Sequence, residues 1–147
     1  MRISITVPGE PVGKGRPRFD KNGHAYTPQK TRDYETAVAL LYKSAAKGYR
    51  FPRHVPVDVR IRAYFAIPAS DSNRQRMRKL TGVVRPCKTP DTDNIAKAIL
   101  DSINKIAYED DAQVVDVQVR KFYSDRPRVV VTVQEAETEK EEYTNHE

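Results

Sequence analysis

Between Val55 and Ile67 the chain alternates without a break. Val57, Val59, Ile61, Ala63 and Phe65 fall on one side, and Asp58, Arg60, Arg62 and Tyr64 on the other. Successive side chains of a strand point to opposite faces of a sheet, so this stretch is a half-buried β-strand. Such a strand needs neighbours along its edges and a layer over its apolar face. Arg2 to Val7 offers one neighbour, with Ile3, Ile5 and Val7 on one side. Gln113 to Tyr123 and Arg128 to Val133 read as two more, and Ser124-Asp125-Arg126-Pro127 between them has turn chemistry, which predicts a β-hairpin. Asp93 to Ala107 is the strongest helix, with Ile95, Ile99, Ile103 and Ile106 in one stripe. Thr31 to Lys47 reads as a second helix through Tyr34, Val38, Leu41 and Ala45, with Gly48 as its C-cap. Ser70 to Leu80 is short, very basic and weakly helical, while Val12 to Lys30 and Thr81 to Pro90 read as loops. The expected fold is one mixed α/β domain over residues 1–133, with a central mixed sheet of about four strands and helices packed on it.

Charge is distributed unevenly along this frame. Residues 1–133 hold 25 Lys and Arg against 14 Asp and Glu, a balance of +11. Residues 134–147 hold six acids and Lys140, a balance of −5. A body this basic points to a polyanion, with a plain solvated basic surface as the alternative. The acidic tail has no apolar periodicity and is read as disordered. No run approaches the roughly 18–20 apolar residues of a membrane span. The start of the chain lacks the apolar core of a signal peptide, so a soluble cytoplasmic protein with no membrane partner is expected. Cys87 is the lone cysteine, and His24, His54 and His146 show no ligand spacing, which excludes a disulfide framework and a cysteine–histidine zinc cluster. No Ser or Cys has a plausible His partner motif for nucleophilic catalysis.

Within a basic body, acids are informative. Asp91 and Asp93 open the strongest helix, and Asp110-Asp111 follows its end. Asp93, Lys97 and Asp101 are spaced four apart and share a helical face. Two readings follow. Converging carboxylates make the hard oxygen site that Mg²⁺ or Mn²⁺ prefers, with Lys97 placed to meet a phosphate oxygen. Alternatively, Asp91 or Asp93 caps the helix, Asp93–Lys97–Asp101 is a surface ion-pair ladder, and Asp110-Asp111 is a turn. A helix of about fifteen residues is roughly 22 Å long, so Asp111 joins the first two aspartates only if the chain folds back after the helix.

The stretch Thr89-Pro90-Asp91-Thr92-Asp93-Asn94-Ile95-Ala96-Lys97-Ala98-Ile99-Leu100-Asp101, then Tyr108-Glu109-Asp110-Asp111-Ala112-Gln113-Val114-Val115, resembles the RusA family of Holliday junction resolvases. The shared pattern is P-D-x-D-N-x-x-K-x-x-x-D followed by D-D-x-Q-[IV]. Gly13-Lys14-Gly15-Arg16-Pro17-Arg18 is similar to the family's basic K-x-R-P-R element. The resemblance implies a small, Mg²⁺-dependent, homodimeric endonuclease of DNA recombination and repair, of a kind often carried by phages and prophages. Such enzymes bind four-way DNA junctions and nick two strands symmetrically. By the resemblance, Asp91, Asp93 and Asp111 match metal-binding carboxylates, Lys97 matches the catalytic lysine, and Asp110 is a further ligand or a supporting acid. The resemblance also supplies the convergence of Asp111 with Asp91 and Asp93. Asn94 and Asp101 match motif positions of open role. Lys88-Thr89 stands where some relatives carry aromatic residues, and the acidic tail is an extension.

DNA affinity is assigned to three basic groups: Lys14, Arg16 and Arg18; Arg74, Arg76, Arg78 and Lys79; and Arg85 with Lys88. Phe19 and Tyr26 lie among the first group, either stacking on bases or buried in the core. The competing function is a non-catalytic nucleic-acid-binding module whose acids are only caps and turns.

Overall fold

A computed structural model describes residues 1–139. Four strands form the main sheet: β1 (Arg2–Pro8), β4 (Val57–Ala66), β5 (Val114–Ser124) and β6 (Arg128–Glu135). Their order is β1-β6-β4-β5; β4 and β5 run parallel, and the other pairs are antiparallel. A small ribbon of β2 (Arg18–Phe19) and β3 (Ala25–Tyr26) interrupts the first loop. Three helices, α1 (Gln29–Ala46), α2 (Asn73–Leu80) and α3 (Thr92–Ile103), complete the mixed α/β domain.

The expected hairpin between β5 and β6 does not form. β4 lies between them, and β6 pairs with β1 on one side and β4 on the other. The reason is burial. Val129, Val131 and Val133 are fully buried, so β6 belongs in the middle of the sheet; Val115 and Val117 are exposed, so β5 belongs at the edge. The Ser124–Arg128 connection instead crosses the end of β4, where the Pro127 carbonyl accepts from the Gly9 N–H at 3.0 Å.

The apolar side of the strands meets α1 and α3. Ile95, Ile99 and Ile103 are fully buried, each contributing about 1.5–3 kcal/mol of burial. On α1 the buried line is Thr31, Val38, Tyr42 and Ala46, not the expected line through Leu41 and Ala45, which are exposed. A one-residue shift turns a helical side chain by about 100°, and the larger Tyr42 takes the inward phase. Lys47 in the left-handed conformation closes α1, followed by Gly48 at φ 83°.

α3 stops at Ile103, four residues before the expected end. Asn104 is extended and Lys105 has φ 64°, which turns the chain back. Tyr108 then bridges to Phe51 and Asn104, and its hydroxyl donates to the Leu100 carbonyl at 3.0 Å. The chain therefore returns beside the C-terminal half of α3. At the other end of the domain, β6 runs through Glu135, and buried Ala136 donates its N–H to the Pro56 carbonyl at 2.9 Å. Gln134 to Ala136 are thus part of the folded body; residues 140–147, most of the acidic tail, lie outside the described residues.

Candidate active site

The start of α3 is held by the first loop. The Lys14 N–H donates to the Asn94 carbonyl at 3.0 Å. Gly13 makes this approach possible: a Cβ there would sit 2.8 Å from the Pro90 Cβ and 3.1 Å from the Asn94 Cβ. The Lys14 side chain braces the loop further, pairing with Glu35 of α1 and with Asp101 of α3, the latter at 3.1 Å. Burial pulls the Lys14 ammonium down, but hydrogen bonds and charge from Glu35 and Asp101 outweigh it and hold it above its ordinary range. Asp101 is thereby drawn to Lys14, while Lys97 stays exposed and outside any ion pair among the described residues.

Asp91 occupies the N-cap position of α3, yet its carboxylate does not bond the helix backbone as a cap. Its Oδ1 accepts instead from the Asn94 side-chain amide at 2.6 Å. That bond first, then its own backbone N–H, the side chain of Asp93 and the charge of Lys121, holds the Asp91 carboxyl below its usual range. Asp93 lies in the first helical turn, exposed beside it, where the helix dipole favours negative charge. A groove of about 400 Å³ opens next to Asp91, lined by Lys14, Arg18, Lys30, Thr31 and Asn94 among others. Arg16 is exposed on the same loop, and Phe19 and Tyr26 are 70% and 47% exposed on the ribbon, free to stack rather than fill a core.

The second acid pair is placed differently. Gln113 is buried, and its side-chain oxygen accepts from the N–H groups of Glu109 and Asp110 at 2.8 and 3.0 Å. Its amide donates to the Pro52 and Val55 carbonyls at 2.7 and 3.1 Å. The glutamine of the D-D-x-Q element is thus the pin that sets the doublet. A hydrogen bond from Asp110 first, then slight desolvation and the charges of Asp110 and Asp101, pushes the Asp111 carboxyl up. Within one chain Asp91 and Asp93 lie together, and Asp110 and Asp111 lie together. Among the described residues no group of three His, Cys, Asp or Glu is close enough to hold a metal ion. A pair of exposed carboxylates still suits Mg²⁺, which keeps several waters and takes one or two carboxylates plus substrate phosphate. Asp91 and Asp93 fit that requirement.

The remaining basic candidates divide by position. Arg74, Arg76 and Arg78 are on α2. Lys79, also on α2, is tied to Asp71 at 2.5 Å and lies over the Tyr123 ring. Arg85 and Lys88 flank β5: the Arg85 Nε donates to the Lys121 carbonyl at 3.0 Å, and Lys121 donates to the Lys88 carbonyl.

A family model described as Endodeoxyribonuclease RusA matches residues 8–134. The chain belongs to the RusA family. It is also 40% identical over 141 residues to the uncharacterized protein YqaN of Bacillus subtilis (strain 168), covering 90% of this chain and 96% of that one. RusA membership makes the chain a nuclease of a metal-dependent, branched-DNA-binding family. No helix among the described residues is long and apolar enough to cross a membrane.

Two site residues escape the sequence reading. Lys30 lines the groove beside Asp91, and Lys121 contributes charge to Asp91. Lys121 carries a legible signal: it stands between Val119 and Tyr123, which pack against the core from β5. A lysine on the apolar side of a strand has a reason to be there.

Proposed function

We propose that this RusA protein is a Mg²⁺-dependent crossover junction endodeoxyribonuclease, with Mn²⁺ as a substitute, that resolves four-way DNA junctions by paired symmetric nicks in recombination and repair. The observation that carries the reading is Asp91 lining a basic groove with Asp93 exposed beside it, and Lys97 one turn on, outside any ion pair among the described residues. Asp91 and Asp93 would hold the cation; Asp111, with or without Asp110, would be a third ligand only by moving toward them, because the two pairs lie apart within one chain. A divalent ion there supplies Lewis-acid polarisation of the scissile phosphate. Asn94 orients the Asp91 carboxylate and keeps it ionised. Water attacks phosphorus in line and the 3′ oxygen leaves; Lys97 stabilises the charge that grows on the non-bridging oxygens. Arg16, Arg18 and Lys30 hold neighbouring phosphates, while Lys14 keeps the loop against α3.

A four-way junction asks for two sites related by a two-fold axis, which a homodimer supplies. Leu40 and Leu41 on α1, and Val115 and Val117 on the β5 edge, are exposed apolar groups suited to such contact. The test uses a labelled four-way junction with and without Mg²⁺, beside flap, fork and linear duplex controls. Paired symmetric nicks that require the metal support the reading. Retention without cleavage overturns it in favour of a binding module, and sedimentation at low concentration checks the dimer.

A further inference from the structure

Helices α1 and α3 cover one face of the sheet; the other, bordered at the β5 edge by the end of α2, carries a set of cations that the proposed active site does not use. On that outward face, Arg62 stands beside Arg120, Tyr64 beside Phe122, and Arg128 beside Tyr64. The Tyr64 and Phe122 rings stack with centroids 5.8 Å apart and planes 28° from parallel. Guanidinium carbons crowd around them. Those of Arg85, Arg120 and Arg62 lie 4.5, 4.9 and 5.8 Å from the centre of the Phe122 ring. That of Arg128 lies 4.0 Å from the centre of Tyr64. Among the described residues none of these four arginines is in an ion pair, although their neighbours Arg60 and Lys79 are.

Four like charges around two rings repel one another. The ring faces attract each by about 0.5–1 kcal/mol and fix its plane. The Arg85 Nε donates to the Lys121 carbonyl and the Arg128 Nη1 to the Ser124 hydroxyl and the Arg126 carbonyl, while the other N–H groups of the four make no hydrogen bond among the described residues. Guanidinium is weakly hydrated and matches phosphate oxygens in pairs, so the group is complementary to a phosphodiester backbone. A second copy related by a two-fold axis would bring guanidiniums against guanidiniums, which excludes an isologous contact here. The cluster also has a path to the acids. Arg85 is bonded to the Lys121 backbone, and the Lys121 ammonium donates to the carbonyl of Lys88, three residues before Asp91. Basic groups therefore run from the open face, around the β5 edge, to the start of α3.

We propose that Arg62, Arg85, Arg120 and Arg128, set around the Tyr64–Phe122 pair, form a backbone platform that seats the DNA arm flanking the phosphate presented to Asp91 and Asp93. The assignment of that phosphate rests on the nuclease reading above; the platform itself rests on the arginines. It reads phosphates and not bases, so its contribution is independent of sequence.

The experiment titrates a labelled four-way junction with the full chain in the absence of divalent metal, over a salt series. The wild type is compared with Arg120→Gln/Arg128→Gln, with Arg62→Gln/Arg85→Gln, and with the charge-matched control Lys43→Gln/Arg53→Gln. Each platform pair is expected to weaken binding about tenfold or more at low salt and to flatten the log K against log salt slope by about 2, since each phosphate contact contributes about −0.9. The pairs trade relief of repulsion against lost ring contacts and, at Arg85 and Arg128, lost hydrogen bonds, so a cooperative melt without DNA is used to confirm that each pair is folded. Platform variants that keep wild-type affinity and slope, or lose no more than the control pair, overturn the proposal. Cleavage by the wild type with Mg²⁺ is scored separately. An arginine-dependent slope without cleavage keeps the platform and ends the nuclease reading; cleavage with normal binding by both platform pairs does the reverse.

Discussion

The two ends of α3 each carry a pair of aspartates, and the fold treats them in opposite ways. At the N-terminal end, Asp91 receives the Asn94 amide, its own backbone N–H and the charge of Lys121, and its carboxyl is held down. Beside the C-terminal half, Asp110 and Asp111 press on each other, Asp101 adds to the field, and the Asp111 carboxyl is pushed up. The residue type is the same, and the donors around it differ. At the first pair the chain supplies the positive partners itself. At the second it leaves a repulsion that a proton or a cation relieves. Charge count alone would rank the two pairs equal.

The largest expected effect breaks the comparison at its first end. Asp91→Asn should lower single-turnover junction cleavage by about 10³-fold or more while leaving junction binding intact or tighter. Cleavage at the wild-type rate would remove Asp91 from the site. Asp111→Asn then decides whether the two ends act together. A loss as large as that of Asp91→Asn joins them in one reaction; a loss under tenfold leaves the doublet outside it. The measurement is the rate constant from a denaturing gel with enzyme in excess.

Next in size is the pin under the doublet. Gln113→Leu strands two N–H groups and two carbonyls that the glutamine now satisfies. Unpaired buried groups cost about 1–3 kcal/mol each before relaxation, and solvent reaches part of this turn, so a net loss of about 2–4 kcal/mol is expected. Urea unfolding measures it. A variant as stable as wild type would show that the doublet is set by something other than Gln113.

The sheet and both long helices were legible in the chain because period 2 and period 3.6 are properties of a single segment. Val57 to Phe65 and Ile95 to Ile103 needed no partner to be recognised. Strand order was not legible, because it depends on comparing segments. Gln113 to Tyr123 alternates as well as Arg128 to Val133 does, and only the packed structure shows that Val129, Val131 and Val133 lose all contact with water while Val115 and Val117 keep it. Adjacent strands with a turn between them favour a hairpin, and here tertiary burial overrode that preference. The phase of α1 failed for a related reason: Leu41 and Tyr42 are both apolar, and which one points inward depends on β1. Asp91, Asp93 and Lys97 were legible as a motif, and the Gly13-to-Arg18 loop as a basic element. That the loop lies on the first turn of α3 was not, since the contact joins residues some eighty positions apart.

That contact gives a smaller test of the first end. Gly13→Ala places a methyl against the Pro90 and Asn94 side chains, at distances the pyrrolidine cannot yield without moving. A cost of about 1–3 kcal/mol is expected, as for overpacking elsewhere. Because the strain falls on the residue that orients Asp91, cleavage should drop more than junction affinity does. Equal losses of both would mean that the loop serves binding alone.

The smallest effect is read in metal-free protein, as the melting temperature against pH. The Asp111 carboxyl lies above its unfolded value, so the folded state takes the proton first. Asp111 is therefore a burden at neutral pH, and the burden is relieved as pH falls through its folded pKa toward the unfolded one. Asp91 has the opposite sign: its stabilisation is present above the unfolded carboxylate pKa and is lost as pH falls through the lower folded value. Asp111→Asn should thus melt slightly above wild type at neutral pH, with the gap closing in acid. Asp91→Asn should melt at or slightly below wild type at neutral pH, with its gap also closing in acid. Both groups are exposed, so each difference is small, and the opposite signs are the observable. If both variants shift the same way, the contrast between the two ends of α3 is not electrostatic. Adding Mg²⁺ then sharpens the result, because an ion bound at the doublet should raise the wild-type melting temperature more than that of Asp111→Asn.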